Sequence, residues 1–139
     1  MSVAAMFSLK GKRAVVTGGS RGIGGACSEL LAECGADVCV GYRARKADAD
    51  AMVATLKAKG VRATAHASDL GSAEGAESLI AAAVQAFGGV DILIHSAGIW
   101  PVEDVPVHEL SEERWRRTMR ENVDAMFFVS RAAARVLGD

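Results

Sequence analysis

Four short apolar runs alternate with four amphipathic stretches along this chain, and that alternation sharply limits the folds open to it. "RAVVT" (Arg13 to Thr17), bounded by glycine, reads as a buried strand. "ADVCVGY" (Ala36 to Tyr42) reads as a second strand, "VRATAHA" (Val61 to Ala67) as a weaker third and "VDILIHSA" (Val90 to Ala97) as a strong fourth. The first intervening helix carries Ile23, Ala26, Cys27, Leu30, Leu31 and Cys34 at helical spacing, with Gly35 as a left-handed stop. A second spans Asp48 to Lys59, with Met52 and Leu56 inward and Gly60 ending it. A third is capped by Ser72, presents Ala76, Leu79, Ile80, Ala83, Val84 and Phe87 on one face, and stops at Gly88 and Gly89. An irregular stretch with Pro101 and Pro106 comes next. Ser111 then caps one long final helix, with Glu112 and Glu113 in its first turn and Trp115, Met119, Asn122, Met126, Ser130 and Ala133 along one side. Strands alternating with helices imply an α/β protein with a parallel sheet covered on both faces. Right-handed crossovers in a doubly wound layout give the strand order 3-2-1-4. No repeat or composition shift divides the chain, so residues 1–139 read as a single domain.

Composition excludes several classes. Half the residues are hydrophobic, which is globular and not disordered. The formal net charge of -1 provides no global field for nucleic acid or acidic lipid, so neither is expected as a partner. No apolar run approaches the ~20 residues of a membrane span. "MSVAAMFSLKGKR" at the N-terminus is too short and too weakly apolar for a signal peptide, and a cytoplasmic location is the expectation. Cys27, Cys34 and Cys39 lack metal-ligand spacing and read as small core residues.

The glycines fall where such a fold binds ligands, at the carboxyl end of the first strand. Gly18, Gly22 and Gly24 give G-x-x-x-G-x-G between strand and helix. Glycine permits positive φ and close backbone approach, and the N-terminus of the next helix presents free N–H groups and partial positive charge. Ser20 can add a hydroxyl donor, and the combination suits a pyrophosphate. The spacing differs from the commoner G-x-G-x-x-G and lacks the G-K-[ST] ending of a triphosphate-binding loop. A tight turn without a ligand is the alternative.

At the end of the second strand, where an NAD site has an acid for the ribose 2′-hydroxyl, this chain reads Tyr42-Arg43-Ala44-Arg45. Arg21, in the glycine loop, can converge on the same place. Guanidinium groups suit a phosphate by charge and geometry, which favours NADP(H) over NAD(H). A solvated basic turn is the alternative.

"TGGSRGIG" (Thr17 to Gly24), "SDL" (Ser68 to Leu70), "HSAG" (His95 to Gly98) and "ENV" (Glu121 to Val123), in this order, resemble the first half of a short-chain dehydrogenase/reductase. The resemblance implies a Rossmann-like fold and an oxidoreductase reducing carbonyls or oxidising alcohols. It implies that the loop including Ile23 binds pyrophosphate and that Arg21 accompanies NADP(H). Asp69 and Leu70 then flank the adenine, Ser96, Ala97 and Gly98 line the adenosine and ribose side, and Asn122 matches the asparagine that organises a catalytic water. His95 stands where the family usually has asparagine, and reads as a satisfied buried histidine.

The family's Ser and Tyr-x-x-x-Lys lie beyond the fifth strand, and this sequence stops at Asp139, before it. Tyr42 and Lys46 have Tyr-x-x-x-Lys spacing but sit at the wrong end of the cofactor to serve. The expectation is therefore a cofactor-binding half without turnover of its own. The alternative is a non-catalytic NADP(H)-binding module or interaction subunit. The complete enzyme implies a small-molecule carbonyl or alcohol substrate. A homo-oligomer is expected, because in this chain alone the fourth strand forms an apolar edge and the last helix loses cover. "GIWPVEDVPVHEL" (Gly98 to Leu110) can form one substrate wall, with Trp100 as an apolar contact, or simply pack.

Overall fold

The computed structural model describes residues 6–138. Residues 1–5, where the N-terminal segment read for targeting begins, and Asp139 lie outside the described residues. Strand β1 (Arg13–Thr17) leads into helix α1 (Gly22–Glu33), followed by β2 (Asp37–Tyr42), α2 (Lys46–Ala58), β3 (Ala63–Ala67), α3 (Ala73–Phe87) and β4 (Ile92–His95). A 3₁₀ turn (Val107–Glu109) precedes α4 (Glu112–Met119), a π-helical turn (Arg120–Asp124) and α5 (Ala125–Ala134). The four strands pair in parallel in the order β3-β2-β1-β4.

The pleat sends alternate residues of each strand to opposite faces. Val15 and Cys39, paired in register, enter the core formed with Leu79, Ile80 and Phe87 of α3 and Val129 and Ala133 of α5. Val16, Val38 and Val40 enter the other, with Ala32 of α1 and Leu56 of α2. Burial pushes the Cys39 thiol up to about 12, as befits a packing residue. Among the described residues no cluster of His, Cys, Asp or Glu could hold a metal, and no helix is long and apolar enough to cross a membrane.

At the amino end of the sheet Asp91 joins β1 to β4. Its carboxylate accepts 2.8 Å hydrogen bonds from the Arg13 backbone N–H and from Nε, and a 3.1 Å bond from Nη2. The guanidinium holds the Asp91 carboxyl down at about 2.

Two helices depart from their expected faces. α1 buries Gly24, Gly25, Ser28 and Ala32, whereas Ile23 and Leu30 are 80% and 57% exposed. The Ser28 hydroxyl lies 3.0 Å from the carbonyl oxygens of both Gly19 and Gly24, so a buried polar bond fixes the helix rotation. The last segment is the long helix expected after Ser111, but a π turn interrupts its α-helical ladder. The π turn adds a residue to the ladder and rotates the helix after it by about 100°. α5 therefore buries Ala125, Val129, Ala132 and Ala133 and leaves Met126 and Ser130 exposed; Trp115, on α4, is exposed as well. Only Ala133 of the expected stripe is fully buried. The second helix also starts at Lys46, earlier than expected, and the second and third strands start at Asp37 and Ala63, later than expected.

Candidate functional site

The carboxyl ends of β1, β2 and β4 open into a cleft of about 300 Å³. One wall is backbone. Gly18 and Gly22 adopt φ 61° and 58°, a region that side chains rarely enter. A Cβ on Gly24 would strike the Gly18 carbonyl oxygen, so glycine there lets the helix start directly against the loop. No side chain caps α1, and its first intrahelical bond runs from Gly25 N–H to Arg21 O at 2.9 Å. The N–H groups of Gly22, Ile23 and Gly24 thus have no intrahelical acceptor. Ile23 contributes its backbone only, given its exposed side chain.

Thr17, fully buried, ties this wall to β4. Its Oγ1 accepts 3.1 Å bonds from the N–H groups of Ser96 and Ala97. With both lone pairs taken, the hydroxyl proton goes to His95 Nδ1, 2.9 Å away. That places the His95 proton on Nε2, which is buried without a hydrogen-bond partner among the described residues. Burial also holds the His95 pKa below its ordinary value. The histidine expected to be satisfied is satisfied on one side only.

The opposite wall is built of charged side chains. Arg43 Nη1 donates to Glu121 Oε2 at 2.6 Å, and Arg120 Nη1 donates to Glu121 Oε1 at 2.6 Å. Arg120 Nη2 donates to Asp69 Oδ2 at 2.5 Å, and Gly71 N–H to Asp69 Oδ1 at 3.0 Å. These bonds, Arg120 foremost, hold the Asp69 carboxyl below its ordinary range. Gly71 leaves room for this arrangement, since a Cβ there would lie 2.6 Å from Arg120 Cζ. Arg45 pairs with Asp48 at 3.6 Å. Arg21 lines the cleft, is exposed, and makes no ion pair with any described residue.

Gly18, Ser20, Arg21, Tyr42, Arg43, Leu70, Ala97 and Gly98 all line the cleft. Gly22, Ile23 and Gly24 adjoin it through the loop, whereas Asp69, Ser96 and Asn122 stand behind its lining. Asn122 is held by backbone. Its Nδ2 donates to Ile99 O (3.0 Å) and Thr118 O (2.9 Å), and its Oδ1 accepts from Ile99 N–H (3.0 Å). One Oδ1 lone pair is left for any water. Lys46 donates to Asp50 at 2.6 Å. Trp100 is 90% exposed, while its neighbour Ile99 does line the cleft.

Gly41, Ala44, Ser68, Glu121 and Ala125 also line the cleft, beyond the residues expected. Ser68 and Glu121 are the flanks of the "SDL" and "ENV" motifs, the one signal that points to them. The Ser68 hydroxyl is buried there without a hydrogen-bond partner among the described residues. An orphaned hydroxyl, uncapped helix N–H groups and an unpaired guanidinium around one cleft fit a phosphorylated ribonucleotide.

Comparison with known proteins agrees with this chemistry. An uncharacterized oxidoreductase of Methylorubrum extorquens is 42% identical over 134 residues, covering 96% of this chain and 53% of its own length. A crystal structure of a dehydrogenase/reductase from Sinorhizobium meliloti superposes with a TM-score of 0.91 at 42% identity, covering 98% of this chain and 53% of that one. A short chain dehydrogenase from Burkholderia cenocepacia, solved in complex with NADP, superposes with a TM-score of 0.88 at 41% identity, covering 94% and 53%. The chain spans about half the length of the curated relatives it matches. The short chain dehydrogenase family model matches residues 12–139, and the chain belongs to that family.

Proposed function

We propose that this chain is the NADP(H)-binding half of an oxidoreductase that reduces carbonyl groups or oxidises alcohols of small molecules. The observation that carries this is the unpaired Arg21 guanidinium on the same cleft as the Gly18–Gly24 loop. When bound, the nicotinamide supplies or takes a hydride. The chain's own residues bind and orient. The Gly22, Ile23 and Gly24 N–H groups and the Ser20 hydroxyl receive the pyrophosphate. Arg21, with Arg43 beside Tyr42, receives the 2′-phosphate. Asp69 and Leu70 flank the adenine, and the Ser68 hydroxyl supplies a further polar contact. Ser96, Ala97 and Gly98 border the ribose. Asn122 is a positioning residue, clamping the chain at Ile99 onto the π turn.

The assembly is proposed to be a homo-oligomer in the cytoplasm. Exposed Trp115, Met126 and Phe127 offer apolar surface for self-association, and free cysteines fit a reducing compartment. Thermal unfolding with each cofactor tests the reading. Saturating NADPH raises the Tm of the chain more than NADH does, and Arg21→Ala narrows the gap. Equal shifts for both cofactors, or none, contradict it.

A further inference from the structure

Arg43 lines the cofactor cleft already partnered. Its Nη1 lies 2.6 Å from Glu121 Oε2, across 78 positions of sequence, and Glu121 lines the same cleft. The two partners differ in exposure: the Glu121 side chain is 10% exposed and that of Arg43 is 57% exposed. Glu121 keeps a second cation in Arg120, at 2.6 Å, and Arg120 in turn holds Asp69 at 2.5 Å. The carboxylate is therefore fixed from behind, and the mobile member of the pair is Arg43. A phosphate entering the cleft meets an unpaired Arg21, but gains Arg43 only in competition with a fixed anion. An anion within a few ångströms of a phosphate dianion opposes its binding.

We propose that Glu121 is a specificity-determining residue of this cleft: it competes with the cofactor's 2′-phosphate for Arg43, and so holds down the preference for NADP(H) over NAD(H). This rests on the proposed function, because it takes the cleft to be the 2′-phosphate site. The neutral charge sum of Arg43, Glu121, Arg120 and Asp69 has a direct consequence. Replacing Glu121 by an uncharged isostere leaves one net positive charge at the phosphate position. A ligand without the 2′-phosphate gains nothing comparable from that change.

The test is isothermal titration of the chain with 2′,5′-ADP and with 5′-AMP, which differ only by the 2′-phosphate. In Glu121→Gln, 2′,5′-ADP binds about fivefold more tightly than in the parent, while 5′-AMP stays within about twofold. In Arg43→Gln the same Glu121 substitution gives a much smaller gain, because the contested guanidinium is gone. Unchanged or weaker 2′,5′-ADP binding in Glu121→Gln overturns the competition. If the parent still prefers 2′,5′-ADP, the proposed cofactor reading survives that result. If neither protein distinguishes the two nucleotides, both inferences fail. A gain in Glu121→Gln from a parent with no preference supports the competition and corrects the preference. A wild-type readout guards against a variant that does not fold. The Glu121 carboxyl carbon resonance shifts when 2′,5′-ADP saturates the chain and stays in place with 5′-AMP; no shift with 2′,5′-ADP overturns the proposal.

Discussion

The two walls of the cleft are made of different material. On the β1 side, Gly18, Gly22 and Gly24 shape the backbone, and buried Thr17 fixes it to β4 through Ser96 and Ala97. On the β2 side, Arg43, Glu121, Arg120 and Asp69 form a linked row of ion pairs whose members are 10% to 57% exposed. The first wall is backbone with little freedom, and its charge is the exposed Arg21 guanidinium that the loop presents to the cleft. The second has balanced charge and side chains that can exchange partners. A backbone wall supplies fixed N–H groups that suit any pyrophosphate, whereas a side-chain wall can be retuned by single substitutions. Anchoring thereby rests on fixed backbone, and discrimination on side chains.

That division is sharpened or broken by substitution on each side. The largest effect is expected for Gly24→Ala. Its methyl group strikes the Gly18 carbonyl, and we expect a loss of about 3 kcal/mol in unfolding free energy together with loss of nucleotide binding. Thr17→Val keeps the shape but strands two buried N–H groups and His95 Nδ1. A loss of about 2 kcal/mol by urea denaturation is expected. For the exposed side chain of the same loop, Arg21→Ala is expected to weaken NADPH binding about tenfold while changing unfolding by less than about 0.5 kcal/mol. Should Arg21→Ala unfold the chain, or Gly24→Ala bind NADPH normally, backbone and side chains would not divide the work as described.

The smallest effect lies at the far end of the sheet and serves as a control. The fold lowers the Asp91 carboxyl from 3.8 to about 2 through Arg13. A depressed acid stabilises the fold fully above its unfolded value and loses that contribution as pH falls through its folded value. Between about pH 4 and pH 2, the parent loses this share of stability, and Asp91→Asn shows a flatter decline, read by thermal unfolding across pH. NADPH affinity at neutral pH stays unchanged.

Legibility in the sequence runs along the same divide. The strand order and the glycine loop come from local pattern, because alternation and glycine placement act between near neighbours. Local pattern does not reveal Glu121 as a cleft residue, because its partner Arg43 is 78 positions away and its placement depends on a π turn that period counting treats as regular helix. The π turn also displaces the buried face of α5, where Val129 is buried and Met126 is not. In α1, counting apolar residues favours Ile23 and Leu30, while the helix faces inward through Gly24, Gly25 and Ser28. There, closeness of approach and one buried hydroxyl outweigh hydrophobicity. Asn122 is matched by motif, yet its backbone clamp at Ile99 and Thr118 becomes visible only once the loop is folded against it.

Isothermal titration of the 139-residue chain with NADPH, and with NADH in parallel, tests the central claim most directly. Saturable binding of one cofactor per chain, tighter for NADPH, is the result predicted for a formed half-site whose guanidinium groups face the 2′-phosphate. Binding that is indifferent to the 2′-phosphate, or no binding of either cofactor, would contradict it.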